Sequence, residues 1–444
     1  MTVPPPVPSD AEAPSIVQPA LSRQTRLAVA DQVVIGATNF ATNILVGRAL
    51  VPTAFGQYIL ALNLLYLIKG LQEALVAAPF AVHRQHRTGA SLIAYRGSNA
   101  GLHAVTTAAF TLTVLLAVSL FRAMPETREL ARVGMAVVLT VPCLLTREYC
   151  RRISFAEFRS SLAVIMDGVI GAVQLAMIFL LWHGQLMTPF RAFLVIGVSC
   201  AVGAIVWKWI ARYEARLIPR RCWVDWQGDL RFGRWICLTF LLGCSTPYLM
   251  PWLLATLGDG VAVARYGAAF TIVGFANLFV LGVNNFFYPL AARSFKVGGA
   301  RQLGRTLATA ALVFSGGLGL FCLLLWTVGD PFLGLLFDDK YTQLRGTLTL
   351  LGVFVWGAAL SMTAGIGLTC MFRPQLNLPA DLIALGISWG LAWLFIPRYG
   401  ETGAAAALAV GVAAGALVRG VILGWASCWG PPSRVTTGRP ATEG

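Results

Sequence analysis

The chain has 444 residues, of which 57% are hydrophobic and only 12% are charged. This charged fraction is about half of the usual value for soluble proteins, and apolar stretches long enough to cross a hydrocarbon layer of about 30 Å recur from residue 28 to residue 427. A water-soluble fold is therefore excluded. The net charge of +15 would indicate a nucleic-acid partner in a soluble protein. In a membrane protein Lys and Arg also orient the helices, so no nucleic acid is expected.

The apolar stretches predict an all-α polytopic membrane protein with about 12 transmembrane helices in two six-helix halves around a central cavity. The N-terminal half is expected at 27–211 and the C-terminal half at 233–428, joined by a cytoplasmic interfacial linker at 212–232. Residues 1–26 and 429–444 are rich in Pro and polar residues and predict cytoplasmic tails, the first of them disordered. The predicted helices lie at 28–47, 55–79, 100–121, 130–146, 161–182, 190–211, 233–256, 262–289, 303–328, 347–371, 379–397 and 403–427.

The distribution of cations predicts the orientation of these helices. With both termini in the cytoplasm, more than twice as many of the 34 Lys and Arg lie on the cytoplasmic side as on the outer side, which satisfies the positive-inside rule. The cytoplasmic set includes Arg147, Arg151 and Arg152, which are expected in a short loop after the fourth helix. The linker at 212–232 combines several Arg with Trp223, a composition suited to anionic lipid headgroups.

Two segments of similar sequence indicate that the halves are equivalent. Residues 52–84 contain AFGQYILALNLL and end in APFAVHR, whereas residues 261–293 contain VARYGAAFTIV and end in YPLAAR. Tyr58 then corresponds to Tyr266, and each copy joins the first two helices of its half. Internal repeats of this kind are typical of transporters whose halves move about a central site.

Three segments carry a family resemblance. They are DQVVIGATNFATNILVGRALVPTAFGQYILALNLLYLIKGLQEALVAAPF, VARYGAAFTIVGFANLF and FFYPLAARSF. The first resembles the opening helix, first turn and second helix of the polysaccharide (O-antigen or exopolysaccharide type) flippases, which belong to the multidrug/oligosaccharidyl-lipid/polysaccharide exporter superfamily. The other two resemble signatures of helices seven and eight in that family. Helices three to six and nine to twelve match poorly, which leaves the particular glycan open.

The resemblance implies a multi-pass transporter of the bacterial inner membrane with both termini in the cytoplasm. Such a protein flips an undecaprenyl-diphosphate-linked oligosaccharide from the cytoplasmic to the outer leaflet by alternating access, for surface polysaccharide biosynthesis. The partners implied are the lipid-linked glycan, the lipid bilayer, a polysaccharide polymerase and glycosyltransferases. The resemblance implies no cofactor.

Polar side chains of the first predicted helix share one face. At about 100° per residue, Asp31, Asn39 and Asn43 fall within an arc of roughly 140°, and apolar side chains occupy the other side. An ionised side chain at the bilayer centre costs on the order of 3 kcal/mol, so it should face a cavity or a partner. We expect this face to line the cavity. Hydrogen bonding to neighbouring helices is the alternative.

The second predicted helix carries Lys69, Gln72 and Glu73 near its middle as candidate cavity residues. Lys69 and Glu73 are four residues apart and therefore share a face. Two interpretations are open. The two side chains form a structural ion pair, which lowers the cost of burying both charges, or Lys69 meets a lipid diphosphate while Glu73 exchanges a proton or cation.

Five further residues complete the candidate cavity lining. Asp167 lies in the fifth predicted helix, where an interfacial position is the alternative. Asn277 lies in the eighth, where hydrogen bonding to a neighbouring helix is the alternative, and Arg419 lies in the twelfth. Arg419 could instead extend to the cytoplasmic surface. Arg48 and Arg265 occupy corresponding turns of the two halves, where a position at the outer interface is the alternative.

No catalytic or metal-ligating pattern stands out, so we expect a protein that is not an enzyme. The four His are scattered, the nine Cys form no CxxC pair, and no Gly-rich phosphate loop or HExxH motif is present. Two alternatives to a flippase stay open: an ion-coupled multidrug extruder of the same superfamily and, less favoured, a membrane glycosyltransferase or glycan ligase. A diphosphate carrier should present cations to its cargo, whereas an exporter of organic cations should present acids.

Overall fold

The structure is a computed structural model, and it describes residues 17–243 and 245–428. All regular structure in these residues is helical, so the predicted all-α class is confirmed. The predicted tail at 429–444 lies outside the described residues. Of the predicted N-terminal tail, residues 17–26 form the first turns of a helix, because no helix-breaking residue follows Pro19 in this stretch.

The chain divides into two compact units, the first of which ends at Phe240. Its second span is compound, because the helix continues through a π-helical turn at Glu73–Ala77. Pro79 follows this turn and lacks a backbone N–H, which explains the local departure from α-helical hydrogen bonding. The helices are α1 (Val17–Ala49), α2 (Pro52–Gln72), α3 (Ala78–His83), α4 (Gly89–Ala123), α5 (Arg128–Ala156), α6 (Ser160–His183), α7 (Pro189–Ala211) and α8 (Pro219–Gly243).

The second unit begins at Leu241, and two of its helices are each divided at glycine. The backbone leaves the helical region at Gly298 and Gly299 in one helix and at Gly400 in the other. Gly299 and Gly400 have φ of +60° and +54°, values that residues with a Cβ rarely adopt. The helices are α9 (Thr246–Leu257), α10 (Gly260–Val273), α11 (Ala276–Phe337), α12 (Arg345–Cys370) and α13 (Leu378–Cys428).

Nine helices of the described residues are long and apolar enough to cross a membrane, or ten if α8 and α9 form one broken span. When α11 and α13 are each divided at their glycine break, a helical segment is present at each of the twelve predicted positions. The eighth segment consists of α10 and the first arm of α11. The prediction of a multi-pass membrane protein is confirmed.

Besides the start of α1, two predicted helix boundaries in the first unit are wrong by about ten residues. Helix α4 begins at Gly89 and not at residue 100. Helix α5 continues to Ala156 instead of ending at residue 146, because its sequence after Pro142 contains no further Pro or Gly to interrupt the helix. Arg147, Arg151 and Arg152 therefore lie within a helix and not in a loop. Without these three residues, the cytoplasmic excess of cations is still about two to one.

The predicted linker at 212–232 is only partly irregular, because α8 begins within it. Trp226 donates its indole N–H to the carbonyl oxygen of Ser98 at 2.6 Å. Arg87 donates to Asp225 at 2.8 Å. These contacts hold the start of α8 against α4 and the turn before it, so this part of the chain is packed on the first unit.

Each unit has its own apolar core. In the first unit Tyr149, Met166 and Trp207 belong to one buried cluster, and Tyr149 adjoins the charged residues of α5 in sequence. In the second unit Leu303 and Leu307 belong to another cluster. The charged and polar features described next lie beside these cores.

Candidate functional site

Four buried side chains on three helices form the centre of an ion-pair network in the first unit. Arg151 on α5 donates two hydrogen bonds to Asp31 on α1, at 2.7 and 2.9 Å, and its Nε lies 3.2 Å from Oδ2 of Asp167 on α6. Arg147, one turn earlier, donates to Asp167 at 2.8 Å. Each of these four residues is 8% exposed or less. Their charges are therefore stabilised by one another more than by solvent.

Two further ion pairs extend the network to the second span. Nζ of Lys69 lies 3.1 Å from Glu148, which also accepts a hydrogen bond from Arg147 at 2.6 Å. Arg152 donates to Glu73 at 2.6 Å, and this pair adjoins the others because all four side chains line one small cavity. The network contains equal numbers of acids and cations and is formally neutral. Its members are Asp31, Glu73, Glu148, Asp167, Lys69, Arg147, Arg151 and Arg152.

One of the two interpretations of the spacing of Lys69 and Glu73 is an ion pair between them, and the described residues contradict it. Lys69 pairs with Glu148, and Glu73 pairs with Arg152. Both partners lie on the part of α5 that was expected to be a loop. Two pairs between helices therefore replace one pair within a helix.

The network lies at one level of the first unit. Asp31 precedes the end of α1 by 18 residues, Lys69 follows the start of α2 by 17, and Arg147 follows the start of α5 by 19. At 1.5 Å per residue, these separations correspond to about 25–29 Å. A hydrocarbon layer of about 30 Å that begins at the α1–α2 turn would therefore end close to the network.

A small polar cavity adjoins the network within the first unit. Its volume of about 50 Å³ has room for only a few water molecules and is far too small for a glycan. Asn39 and Asn43 line it together with Lys69, Arg147 and Asp167. The cavity lies inside one unit, so a lining role for these residues in a cavity between the halves stays a prediction.

The polar face of α1 also bonds neighbouring helices. Tyr58 on α2 donates its hydroxyl to Oδ1 of Asn43 at 3.0 Å. Gln174 on α6 donates to Thr42 at 2.9 Å, and Ser199 on α7 donates to Gln174 at 3.3 Å. These contacts agree with the alternative interpretation, hydrogen bonding to neighbouring helices, and the lining of a cavity between the halves stays a prediction.

Gln72 belongs to a separate polar contact. Its Nε2 lies 2.6 Å from Nδ1 of His103 on α4 and 3.4 Å from the hydroxyl of Thr107. The imidazole of His103 stacks on Tyr149 with ring centroids 4.3 Å apart. Gln72 therefore connects α2 to α4 and lies outside the polar cavity that Asn39 lines.

Two candidate site residues of the second unit, Arg265 and Arg419, take part in separate contacts. Arg419, which is 9% exposed, donates to Ser361 at 2.5 Å and forms an ion pair with Asp381. It is therefore a buried partner of Asp381 and does not extend to the surface. Arg265 lies 3.1 Å from Glu401. Glu401 and Arg419 are both on α13, about 27 Å apart along the helix at 1.5 Å per residue.

Arg48 and Asn277 also lie away from the network. Arg48 is half-buried in the last turn of α1, about 26 Å along the helix from Asp31. Asn277 is exposed at the second position of α11, directly after the break that follows α10. Of the eleven predicted residues, Asp31, Lys69, Glu73 and Asp167 are brought into one network, and Asn39 and Asn43 line the cavity beside it.

Four residues of the network are not among the candidates predicted from the sequence: Arg147, Glu148, Arg151 and Arg152. A signal for them exists in TREYCRR, where two pairs of charges recur four residues apart. If this segment is treated as a continuation of the fourth helix, the pairs fall on one face and point to charged partners on neighbouring helices. Because a cluster of charges after an apolar stretch favours a loop, the four-residue spacing in this segment does not by itself indicate a helix.

The chemistry of the network follows from the pairing of its acids. Each of its four acids contacts at least one Arg or Lys. No group of three or more His, Cys, Asp or Glu in the described part of the chain could hold a metal ion. The acids of the network are therefore paired with its own cations. Two of these cations, Lys69 and Arg147, also line the polar cavity. Arg147 is held by Asp167 and Glu148, whereas Lys69 is more exposed and contacts Glu148.

Comparison with known proteins places this architecture in a class. No family model matches the sequence, and no curated protein matches it. Among solved structures, an inward-facing multidrug resistance MATE family transporter of the MOP superfamily matches with a TM-score of 0.74 and 16% identity, covering 91% of this chain and 98% of that one. The lipid II flippase MurJ, in an inward closed conformation, matches with a TM-score of 0.70 and 13% identity, covering 90% and 87%.

A MOP superfamily transporter from Pyrococcus furiosus Vc1 matches with a TM-score of 0.65 and 16% identity, covering 91% of this chain and 95% of that one. The chain therefore has the fold of the MOP superfamily transporters. This is the superfamily that the sequence resemblance indicates. The neighbours named here are transporters and a flippase, and not enzymes.

Proposed function

We propose that this protein flips an undecaprenyl-diphosphate-linked oligosaccharide from the cytoplasmic to the outer leaflet of the bacterial inner membrane, for surface polysaccharide biosynthesis. The two units would give alternating access to the cargo, and both termini would face the cytoplasm. A polysaccharide polymerase and glycosyltransferases would act on the same glycan. The fold shared with the lipid II flippase supports a lipid-linked cargo.

One observation carries the choice of an anionic cargo: the acids of the network are already neutralised. An exporter of organic cations needs an acid that is available to its substrate. Here Asp31 and Asp167 are held by arginines. Lys69 is 26% exposed and lines the polar cavity. It can exchange Glu148 for a diphosphate at low cost, because Glu148 keeps its hydrogen bond from Arg147.

Deletion of the gene in the bacterium that encodes it tests the proposal. We expect loss of surface glycan and accumulation of the lipid-linked oligosaccharide, both reversed by the wild-type chain. The variant Arg132→Gln is a matched control, because its ion pair with Glu129 is exposed, at 76% and 66% for the two side chains, and such pairs contribute little to stability. Unchanged surface glycan in the deletion strain would contradict the proposal.

An ion-coupled multidrug extruder is the second candidate. The higher TM-score of the MATE transporter, 0.74 against 0.70 for the flippase, favours it. This function predicts that cells expressing the chain export a cationic dye, and that Asp31→Asn abolishes the export. The flippase account predicts no gain in dye export from the same cells.

A further inference from the structure

A cavity of about 630 Å³ lies within the second unit. This volume falls in the range of small-ligand sites, roughly 300–1,000 Å³. The end of the first arm of α11, the end of α12 and the end of α13 surround it. The lining is mainly apolar and includes Tyr288, Ala292, Phe295, Cys370 and Phe372.

The apolar part of the cavity rests on a packed core and has an aromatic rim. Phe295 and Cys370 pack against the buried cluster of the second unit. Phe372 is 69% exposed, and its φ of +59° lies in the left-handed region that bulky residues rarely adopt. The turn after α12 therefore holds a large apolar ring in an exposed position at the rim of the cavity.

The charge of the cavity is one-sided. Lys296, just before the glycine break of α11, and Arg373, in the turn after α12, both line it. The lining residues that the structure describes include no Asp or Glu. An apolar interior with two cations matches an amphiphile that has an acidic head and an apolar tail.

The place of the cavity in the fold agrees with this chemistry. It lies where two helices of the second unit end and α11 turns back at its glycine break. In the proposed topology this end faces the cytoplasm. Anionic lipids of the cytoplasmic leaflet attract Lys and Arg at that depth.

We propose that this cavity binds one anionic glycerophospholipid of the cytoplasmic leaflet. Its acyl chain would lie among Ala292, Phe295 and Cys370, and its phosphate would bind Lys296 and Arg373. The site is within the second unit, separate from the ion-pair network, and takes a resident lipid in addition to the proposed cargo.

Native mass spectrometry of the purified full chain tests the site, with phosphatidylglycerol and phosphatidylcholine as probes in parallel titrations. We expect the protein to retain phosphatidylglycerol in preference to phosphatidylcholine. Lys296→Gln and Arg373→Gln should each weaken phosphatidylglycerol binding about five-fold, the effect of one cation near an anionic surface. Arg293→Gln is the matched control, because Arg293 is exposed on the same helix and does not line the cavity.

Two further experiments test the contributions of the lipid head group and of the acyl tail separately. Ala292→Trp fills the apolar part and should weaken the binding of both lipids. Glycerol phosphate added in excess should not displace the lipid, since it lacks the tail. Equal retention of both lipids by the wild type, or an equal loss of binding in Arg293→Gln, would overturn the proposal. If Arg373→Gln fails to fold, Lys296→Gln alone decides the question, because Lys296 is exposed.

Discussion

The two units distribute their buried charges differently. In the first unit, six charged side chains from α1, α2, α5 and α6 are joined by ion pairs, and the pair of Glu73 and Arg152 adjoins them. In the second unit, the ion pairs of the described residues are separate from one another. These pairs are Arg265–Glu401, Arg345–Asp330 and Arg419–Asp381.

This difference shows that the internal repeat preserves the helical plan and not the polar chemistry. Tyr58 and Tyr266 occupy corresponding positions in the repeat, and each is 1% exposed. Yet the α2 segment faces a charged helix, whereas Arg265, near the start of α10, is 36% exposed and pairs with a single Glu. The network is therefore a feature of the first unit, and this is why we assign the cargo-related chemistry to that unit.

The largest effect should follow from breaking the centre of the network with Arg151→Met. This variant leaves Asp31 without its arginine in a buried position, so we expect a loss of about 3–5 kcal/mol in the free energy of unfolding. Thermal unfolding of the purified protein in detergent measures it. Addition of Asp31→Asn should restore part of the loss. A single variant as stable as the wild type would show that the network is not a stabilising centre.

Arg419→Met should have a smaller effect in the second unit. Asp381 lies in the first turn of α13, where the helix dipole stabilises a negative charge, and its side chain is 17% exposed. We therefore expect a loss of about 1–3 kcal/mol. The same unfolding assay applies. If this loss equals or exceeds that of Arg151→Met, the contrast between the units is wrong.

The two repeat-related tyrosines give the smallest expected effect. Tyr58 donates its hydroxyl to Asn43, whereas the buried hydroxyl of Tyr266 has no hydrogen-bond partner among the described residues. Tyr58→Phe should lose about 1 kcal/mol, and Tyr266→Phe should be neutral or stabilising. Equal destabilisation by both variants would indicate that the polar difference between the repeats is unimportant.

The sequence predicted the helices well because their signal is local. Apolar length alone located all twelve segments, and short motifs indicated the superfamily. The network was not predictable in the same way, because its pairs join distant parts of the chain. Asp31 and Arg151 are 120 residues apart, so only the tertiary structure reveals their pairing.

The α5 charges show a second limit. A cluster of Arg and Glu after an apolar stretch usually marks the end of a membrane span, so this pattern predicts a loop at Arg147 and Arg151. Their burial is possible only because acids on α1 and α6 compensate them. The identity of these partners is tertiary information. For the same reason the sequence suggests Glu73 as the partner of Lys69, whereas the partner in the structure is Glu148.

We propose that Lys69 serves an anionic cargo, and transport by the purified protein in lipid vesicles measures this role. The variant Lys69→Gln with Glu148→Gln removes one cation and one acid, so the network stays neutral. The matched control is Arg152→Gln with Glu73→Gln, the other peripheral pair. We predict that both double variants fold. The variant lacking Lys69 and Glu148 should flip an undecaprenyl-diphosphate-linked oligosaccharide about tenfold more slowly than the wild type, the equivalent of roughly 1.4 kcal/mol. The control should retain most of the wild-type rate. A wild-type rate for the Lys69 and Glu148 variant would contradict the account.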